Sequence, residues 1–285
     1  MPEVKLVECP RDAMQGLKDF IPTELKVNYI NHLLACGFDT IDFGSFVSPK
    51  AIPQMRDTAE VLKGLHLNAD SKLLAIVANE RGATDAASFD EIRYLGFPFS
   101  ISEQFQQRNT NSSIEDALHQ IDTLQAIAQQ ANKKLVVYLS MGFGNPYGEE
   151  WNPDLVLSWS ERLHKDFGID ILALSDTIGC ADPTDVRNLF PQLNKELPSV
   201  EFGAHFHTVR EKAVGIIAAA YDGGCRRFDT AIKGFGGCPM AKDELTGNLA
   251  TEQLVSWLEE RKIETGMDKV AFQDAFLASS TIFNL

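Results

Sequence analysis

The sequence has no long apolar run. Nothing in it approaches the ~20 consecutive apolar residues of a membrane helix, so no spanning segment is expected. Met1-Pro2-Glu3 leads directly into the strand-like run Val4 to Val7. No signal peptide is visible there, and the cytoplasm is the expected compartment. Positive charge is scarce: 26 Lys and Arg against 40 Asp and Glu leave a net charge of −14. That surface disfavours nucleic acid and anionic membranes as partners. It leaves room for a small anionic substrate, which a local positive site can hold. Cysteine pairs of the CxxC type are missing. Cys9, Cys36, Cys180, Cys225 and Cys238 are scattered and odd in number, which favours reduced thiols over a disulfide framework. A GxGxxG turn after the first strand-like run is also missing. Cys9-Pro10-Arg11-Asp12 stands there instead, and Gly142-Phe143-Gly144 and Gly234-Phe235-Gly236 continue into Pro146 and Pro239. An open dinucleotide-binding sheet is therefore disfavoured.

What is present is an alternation of short apolar runs and amphipathic ones, with no linker or low-complexity stretch between them. The strand-like runs are Val4–Cys9, Thr40–Phe46, Leu73–Val77, Phe97–Ser102, Leu135–Met141, Ile169–Leu174, Phe202–His207 and Arg226–Ile232. The clearest helix-like stretches are Thr23–Cys36, Gln54–Leu65, Ile114–Ala131, Pro153–Phe167, Asp185–Leu197, Arg210–Asp222 and Asn248–Arg261. Eight strand–helix repeats in 285 residues predict a single α/β domain over residues 1–285, a closed (β/α)8 TIM barrel. Asp268–Phe283 reads as an additional C-terminal helix.

Polar residues recur at the strand exits: Arg11 and Asp12, Asp42 and Ser45, Ser102 and Glu103, Ser140, Asp176, and His205 with His207. In such a barrel these exits open on one face, which carries the active site. His205-Phe206-His207 is the sharpest signal. Residues two apart on a strand point the same way, so both imidazoles can face one metal ion. His32, His66, His119 and His164 lie on helix-like stretches or their flanks and read as ordinary structural histidines. Asp12 and Asn248 can complete a nitrogen and oxygen ligand set that suits Mg²⁺ or Mn²⁺, with Zn²⁺ or Co²⁺ as alternatives. The plainer readings are an Arg11–Asp12 ion pair and an N-cap at Asn248. Arg11 beside a metal can hold a developing enolate oxygen, or it can close the barrel mouth as a salt bridge. Cys238 sits in Gly234-Phe235-Gly236-Gly237-Cys238-Pro239, where glycines let a thiol approach a substrate and exchange a proton with it.

These segments resemble the 3-hydroxy-3-methylglutaryl-CoA lyases of the DRE-TIM metallolyase family. The likeness runs from Val4 to about Gly266. It rests on Pro10-Arg11-Asp12 with Gln15, Ser45-Phe46-Val47-Ser48-Pro49-Lys50, Ser102-Glu103, Asn109, Ser113-Ile114-Glu115 and Asp176-Thr177-Ile178-Gly179. It continues through His205-Phe206-His207, Gly236-Gly237-Cys238-Pro239 and Gly247-Asn248-Leu249-Ala250-Thr251-Glu252.

The resemblance implies a divalent-metal enzyme that cleaves an acyl-CoA, a homodimer, and roles for particular residues. Asp12, His205, His207 and Asn248 match metal ligands. Arg11 matches the enolate-stabilising arginine and Cys238 the loop cysteine that protonates the enolate. Asp176 matches an acidic residue near the metal. Asp42 stands for the family's second-strand glutamate, one methylene shorter. Gln15 and Ser45 fall where the family lines the substrate pocket. Asn109 and Ser140 join them as candidate substrate-binding residues, and Lys50 and Arg108 are candidate phosphate partners. Ala13 and Thr208 replace the family's usual glycine and acidic residue or asparagine, which bears on the substrate more than on the reaction type. The rivals are isopropylmalate or homocitrate synthases, a pyruvate-releasing aldolase, and a non-catalytic barrel. The synthases lack the Gly-Gly-Cys-Pro loop and carry a further domain. A non-catalytic barrel is expected to have broken metal ligands, and all four are present here.

Overall fold

The computed structural model describes residues 3–237 and 246–283. Eight parallel strands run in chain order: β1 Lys5–Glu8, β2 Thr40–Ser45, β3 Lys72–Ile76, β4 Ile92–Ser100, β5 Lys134–Ser140, β6 Ile171–Asp176, β7 Glu201–Phe206 and β8 Arg227–Thr230. Each pairs with the next, and β1 closes on β8 from Lys5 opposite Arg227 to Glu8 opposite Thr230. The expected (β/α)8 barrel is therefore present.

Eleven α-helices occur among the described residues: α1 Pro10–Gln15, α2 Thr23–Ala35, α3 Thr58–Lys63, α4 Glu80–Ala87, α5 Glu103–Thr110, α6 Ile114–Gln130, α7 Pro153–Phe167, α8 Pro183–Glu196, α9 Arg210–Asp222, α10 Thr251–Glu260 and α11 Lys269–Phe283. The expected helix over Gln54–Leu65 breaks into a 3-10 turn at Pro53–Met55 and α3. Helices α4 and α5 were not apparent from periodicity because each has only 8 residues. Their ends are set by side chains: Asn79 accepts from the Gly82 amide and Ser102 from the Phe105 amide, the capping bonds that satisfy a first-turn donor. The helix expected from Asn248 begins at Thr251. Residues 248–250 are held as extended chain, with Asn248 bridged to His207 and Ala250 to Ala231.

The core divides in two. One large cluster lies between barrel and helices, where Phe43, Leu73, Phe97, Phe206 and Phe228 meet helical side chains such as Ile30, Leu118 and Leu163. A small second cluster contains Leu74, Ile76, Tyr94, Val136, Tyr138, Ile171 and Ala173. It comes from β3 to β6 alone and fills that side of the barrel interior. Strand pairing puts Asp42 level with Leu74 and Ser45 level with Ile76, with a bulge between Asp42 and Gly44. Strict alternation would send residues 42 and 45 to opposite faces. The extra residue brings both to the interior. Gly44 then faces Thr58 so closely that a Cβ would lie 2.4 Å from its Cγ2.

Outside the barrel, the buried Glu8 carboxyl accepts from the Ile232 amide (2.7 Å) and the Thr251 hydroxyl (2.6 Å). It ties β1 to the end of β8 and to the start of α10. Burial pushes its pKa up to about 8, against the opposing hydrogen bonds. Helix α11 packs on α2, with Phe283 edge-on to Tyr29 and Phe272 edge-on to Phe38.

Candidate active site at the C-terminal mouth of the barrel

The site begins one residue after β1. Pro10 occupies the first position of α1, where its missing N–H costs nothing and its fixed φ suits the turn. The helix carries Arg11 and Asp12 into buried positions over the barrel mouth. Helical spacing brings Gln15 back to both. Arg11 Nη1 donates to Gln15 Oε1 (3.0 Å) and to Asp12 Oδ1 (2.9 Å), and Gln15 Nε2 donates to Asp12 Oδ1 (2.8 Å). From β2, Asp42 receives Arg11 Nε at 3.0 Å and a second, short bond from Nη2. The shorter aspartate thus still forms a two-pronged pair with the arginine, the geometry in which guanidinium and carboxylate interact most strongly. Burial pushes the Asp42 carboxyl up to about 6, with Arg11 opposing. Arg11 itself stays charged because Asp42 and Asp12 outweigh its desolvation.

At the end of β7, Phe206 points into the outer core, and His205 and the following His207 both point the other way. Their Nε2 atoms are 3.3 Å apart. One ligand atom from each, together with one from Asp12, lies within 4.8 Å of the others. His205 Nδ1 lies 3.2 Å from Asp229 Oδ2 on β8. Burial alone would lower the His205 pKa, but the bond and charge of Asp229 raise it. Burial, then the neighbouring His205, lower His207 to about 4, so its ring is neutral near pH 7. Burial would raise Asp12, yet Arg11, both histidines and a bond from Asn248 hold it below the usual carboxylate range.

Asn248 reaches this group because residues 247–249 lie along the end of β7, through Thr208 N to Gly247 O (2.9 Å) and Leu249 N to Phe206 O (2.9 Å). Its amide donates to Asp12 Oδ2 (2.7 Å) and to the Phe235 carbonyl (2.8 Å), and it caps no helix. The donor set fits a divalent cation. Two imidazole nitrogens, one carboxylate and no thiolate converge from rigid elements, and an anionic Asp12 offsets part of the positive charge.

The other expected site residues are placed differently. Ser45 and Ser140 end β2 and β5 and are buried at the barrel mouth. Asn109 is half-buried on α5. Asp176 is not brought to the cluster. It pairs with Phe206 in register, which places it on the outer face of β6. Its two oxygens accept from the Cys180 and Ala181 amides, both at 2.9 Å, closing the following turn. Lys50 and Arg108 are exposed, and Arg108 lies over the Tyr147 ring. Cys238 lies outside the described residues. Asp229 was missed by the sequence reading. The signal was available: Arg227 and Asp229 are charged residues two apart in a strand.

A family model described as HMGL-like matches residues 4–276. A hydroxymethylglutaryl-CoA lyase of Bacillus subtilis is 36% identical over 258 residues, covering 90% of this chain and 85% of the relative. A 3-hydroxy-3-isohexenylglutaryl-CoA/hydroxymethylglutaryl-CoA lyase of Pseudomonas aeruginosa is 35% identical, covering 96% and 90%. The solved structure of an HMG-CoA lyase from Acinetobacter baumannii, in complex with coenzyme A and 3-methylmalate, superposes with a TM-score of 0.90 at 30% identity, covering 99% of this chain and 91% of that one.

Proposed function

From the premise that the chain belongs to the HMGL-like family, we propose that it cleaves 3-hydroxy-3-methylglutaryl-CoA, or a close 3-hydroxyacyl-CoA, to acetyl-CoA and acetoacetate or its homologue. The observation that carries the reading is the convergence of Asp12, His205 and His207 beside a buried, fully oriented Arg11. Asp12, His205, His207 and Asn248 are the residues that would hold Mg²⁺ or Mn²⁺. A bound divalent cation would make the substrate's tertiary hydroxyl more acidic and polarise its oxygens.

The chain's own groups do the rest. The hydroxyl proton passes to the carboxylate of Asp12, because His205 has Nδ1 turned to Asp229 and Nε2 turned to the cation site. As the C–C bond breaks, the hydroxyl-bearing carbon becomes the ketone and the electron pair moves into the thioester enolate. A guanidinium has five N–H donors. Four point at Asp42, Asp12 and Gln15, and one on Nη2 has no acceptor among the described residues. Arg11 is thereby clamped in place with a donor left for the enolate oxygen, and such preorganised charge costs no reorganisation as the enolate forms. The Cys238 thiol is the proton donor to the enolate carbon. Asp176 is left out of this scheme because backbone amides hold its carboxylate.

The test is release of acetyl-CoA and acetoacetate from 3-hydroxy-3-methylglutaryl-CoA with Mg²⁺ or Mn²⁺, and again with EDTA. Both products, formed only with metal, are expected. Metal binding without either product would reject this substrate and direct the assay to larger 3-substituents and to 4-hydroxy-2-oxo acids.

A further inference from the structure

We propose that Asp229 is a positioning residue for the cation site: its carboxylate holds His205 as the tautomer protonated at Nδ1 and leaves Nε2 bare toward the metal. The assignment rests on the cation-site reading above. His205 Nδ1 lies 3.2 Å from Asp229 Oδ2, and His205 Nε2 lies 3.3 Å from His207 Nε2. The two ring nitrogens therefore face opposite environments. A carboxylate behind the ring accepts only a proton-bearing Nδ1, which fixes the lone pair on Nε2. The pairing is built into the fold, since His205 and Asp229 sit level with one another on adjacent strands. His207 has no such partner: its Nδ1 is buried with no hydrogen-bond acceptor among the described residues. Of the two imidazoles, only His205 has its tautomer and ring plane set before a cation arrives.

Behind Asp229 is a buried countercharge. Arg227 precedes it by two residues on β8 and faces the same side. It is among the largest fully buried side chains, and its Nε and Nη2 have no described partner. Asp229 Oδ1 and the Tyr138 hydroxyl are likewise buried and unpaired. Four unpaired polar atoms on three side chains in one barrel interior make a site polar enough for bridging water. The barrel interior is thus divided by function. Strands β3–β6 supply mainly apolar filling, and β8 sets the charged Arg227 and Asp229 beside His205 of β7.

Two measurements on the full chain test this. In the metal-free wild type at pH 8, long-range ¹H–¹⁵N NMR of the histidine rings should show His205 protonated at Nδ1 and bare at Nε2. The opposite tautomer would overturn the assignment without any variant. Second, Asp229→Asn should weaken Mn²⁺ binding by about 10–100-fold, read by titration calorimetry on protein whose circular dichroism shows the fold intact. Wild-type Mn²⁺ affinity in that variant, with the fold intact, would also overturn it. A wild-type chain that binds no Mn²⁺ would overturn the cation reading itself. A wild-type chain that binds Mn²⁺ and shows the opposite tautomer would overturn only the role of Asp229.

Discussion

Arg11 concentrates the electrostatics of the site in one side chain. It holds Asp42 with two donors and Asp12 and Gln15 with one nitrogen, so its orientation is over-determined. Lysine keeps the charge but cannot make the fork. Arg11→Lys is therefore expected to lower kcat by about 100-fold while leaving Mn²⁺ affinity within a few-fold, which parallel turnover and calorimetric titrations would show. Comparable loss of both would place Arg11 in cation binding instead. At this scale the sequence was most readable where residue type and spacing coincide, as in His205-Phe206-His207. It was least readable for Asp176. A carboxylate at a strand exit can face the mouth or cap the next turn, and the strand register decides which. For Arg11 and Asp12 the ion pair of the plainer reading is present, and it lies within the candidate site.

Among the elements, all eight strands were legible in number and order, although β4 begins at Ile92, before the expected Phe97, and β8 carries Arg227 and Asp229 among its four residues. The bulge in β2 was not, because nothing in Thr40-Ile41-Asp42-Phe43-Gly44-Ser45 marks which residue is extra. Nor was α1, a helix of 6 residues too short to show a period. The chain that returns over the site depends on a close approach that only glycine permits. Gly236 has φ +97°, and a Cβ there would lie 2.5 Å from Asn248 Nδ2 and 3.0 Å from the Asp12 carbonyl. A methyl group must displace the amide that holds Asp12, in a backbone region that strains an L-residue by about 1–3 kcal/mol. Gly236→Ala should therefore reduce Mn²⁺ affinity and turnover together. An unchanged metal titration would show that Asn248 can shift without consequence.

For the molecule as a whole, Glu8 is a clear internal contributor to the pH dependence of stability. Glu8 holds its proton to about 8 in the fold, against about 4.3 for a glutamate in an unfolded chain. Between those values the folded state binds more protons, so this group's stabilisation is complete at the acid end and is lost as pH rises through about 8. Glu8→Gln keeps the shape and the acceptor for Ile232 but cannot ionise. Its denaturation midpoints should fall less than those of the wild type between pH 5 and 9, and parallel curves would show that Glu8 ionises freely. The same closure that buries Glu8 has a temporal consequence. Asp12 is supplied by the first connection, the histidine pair by the seventh strand and Asn248 by the chain after the eighth, so the site spans 237 residues from Asp12 to Asn248. Pairings this distant in sequence form late. During synthesis, the nascent chain can assemble no complete cation cradle until residue 248 has left the ribosome. On the proposed cation site, metal capture therefore waits until the sequence of all eight strands has been made.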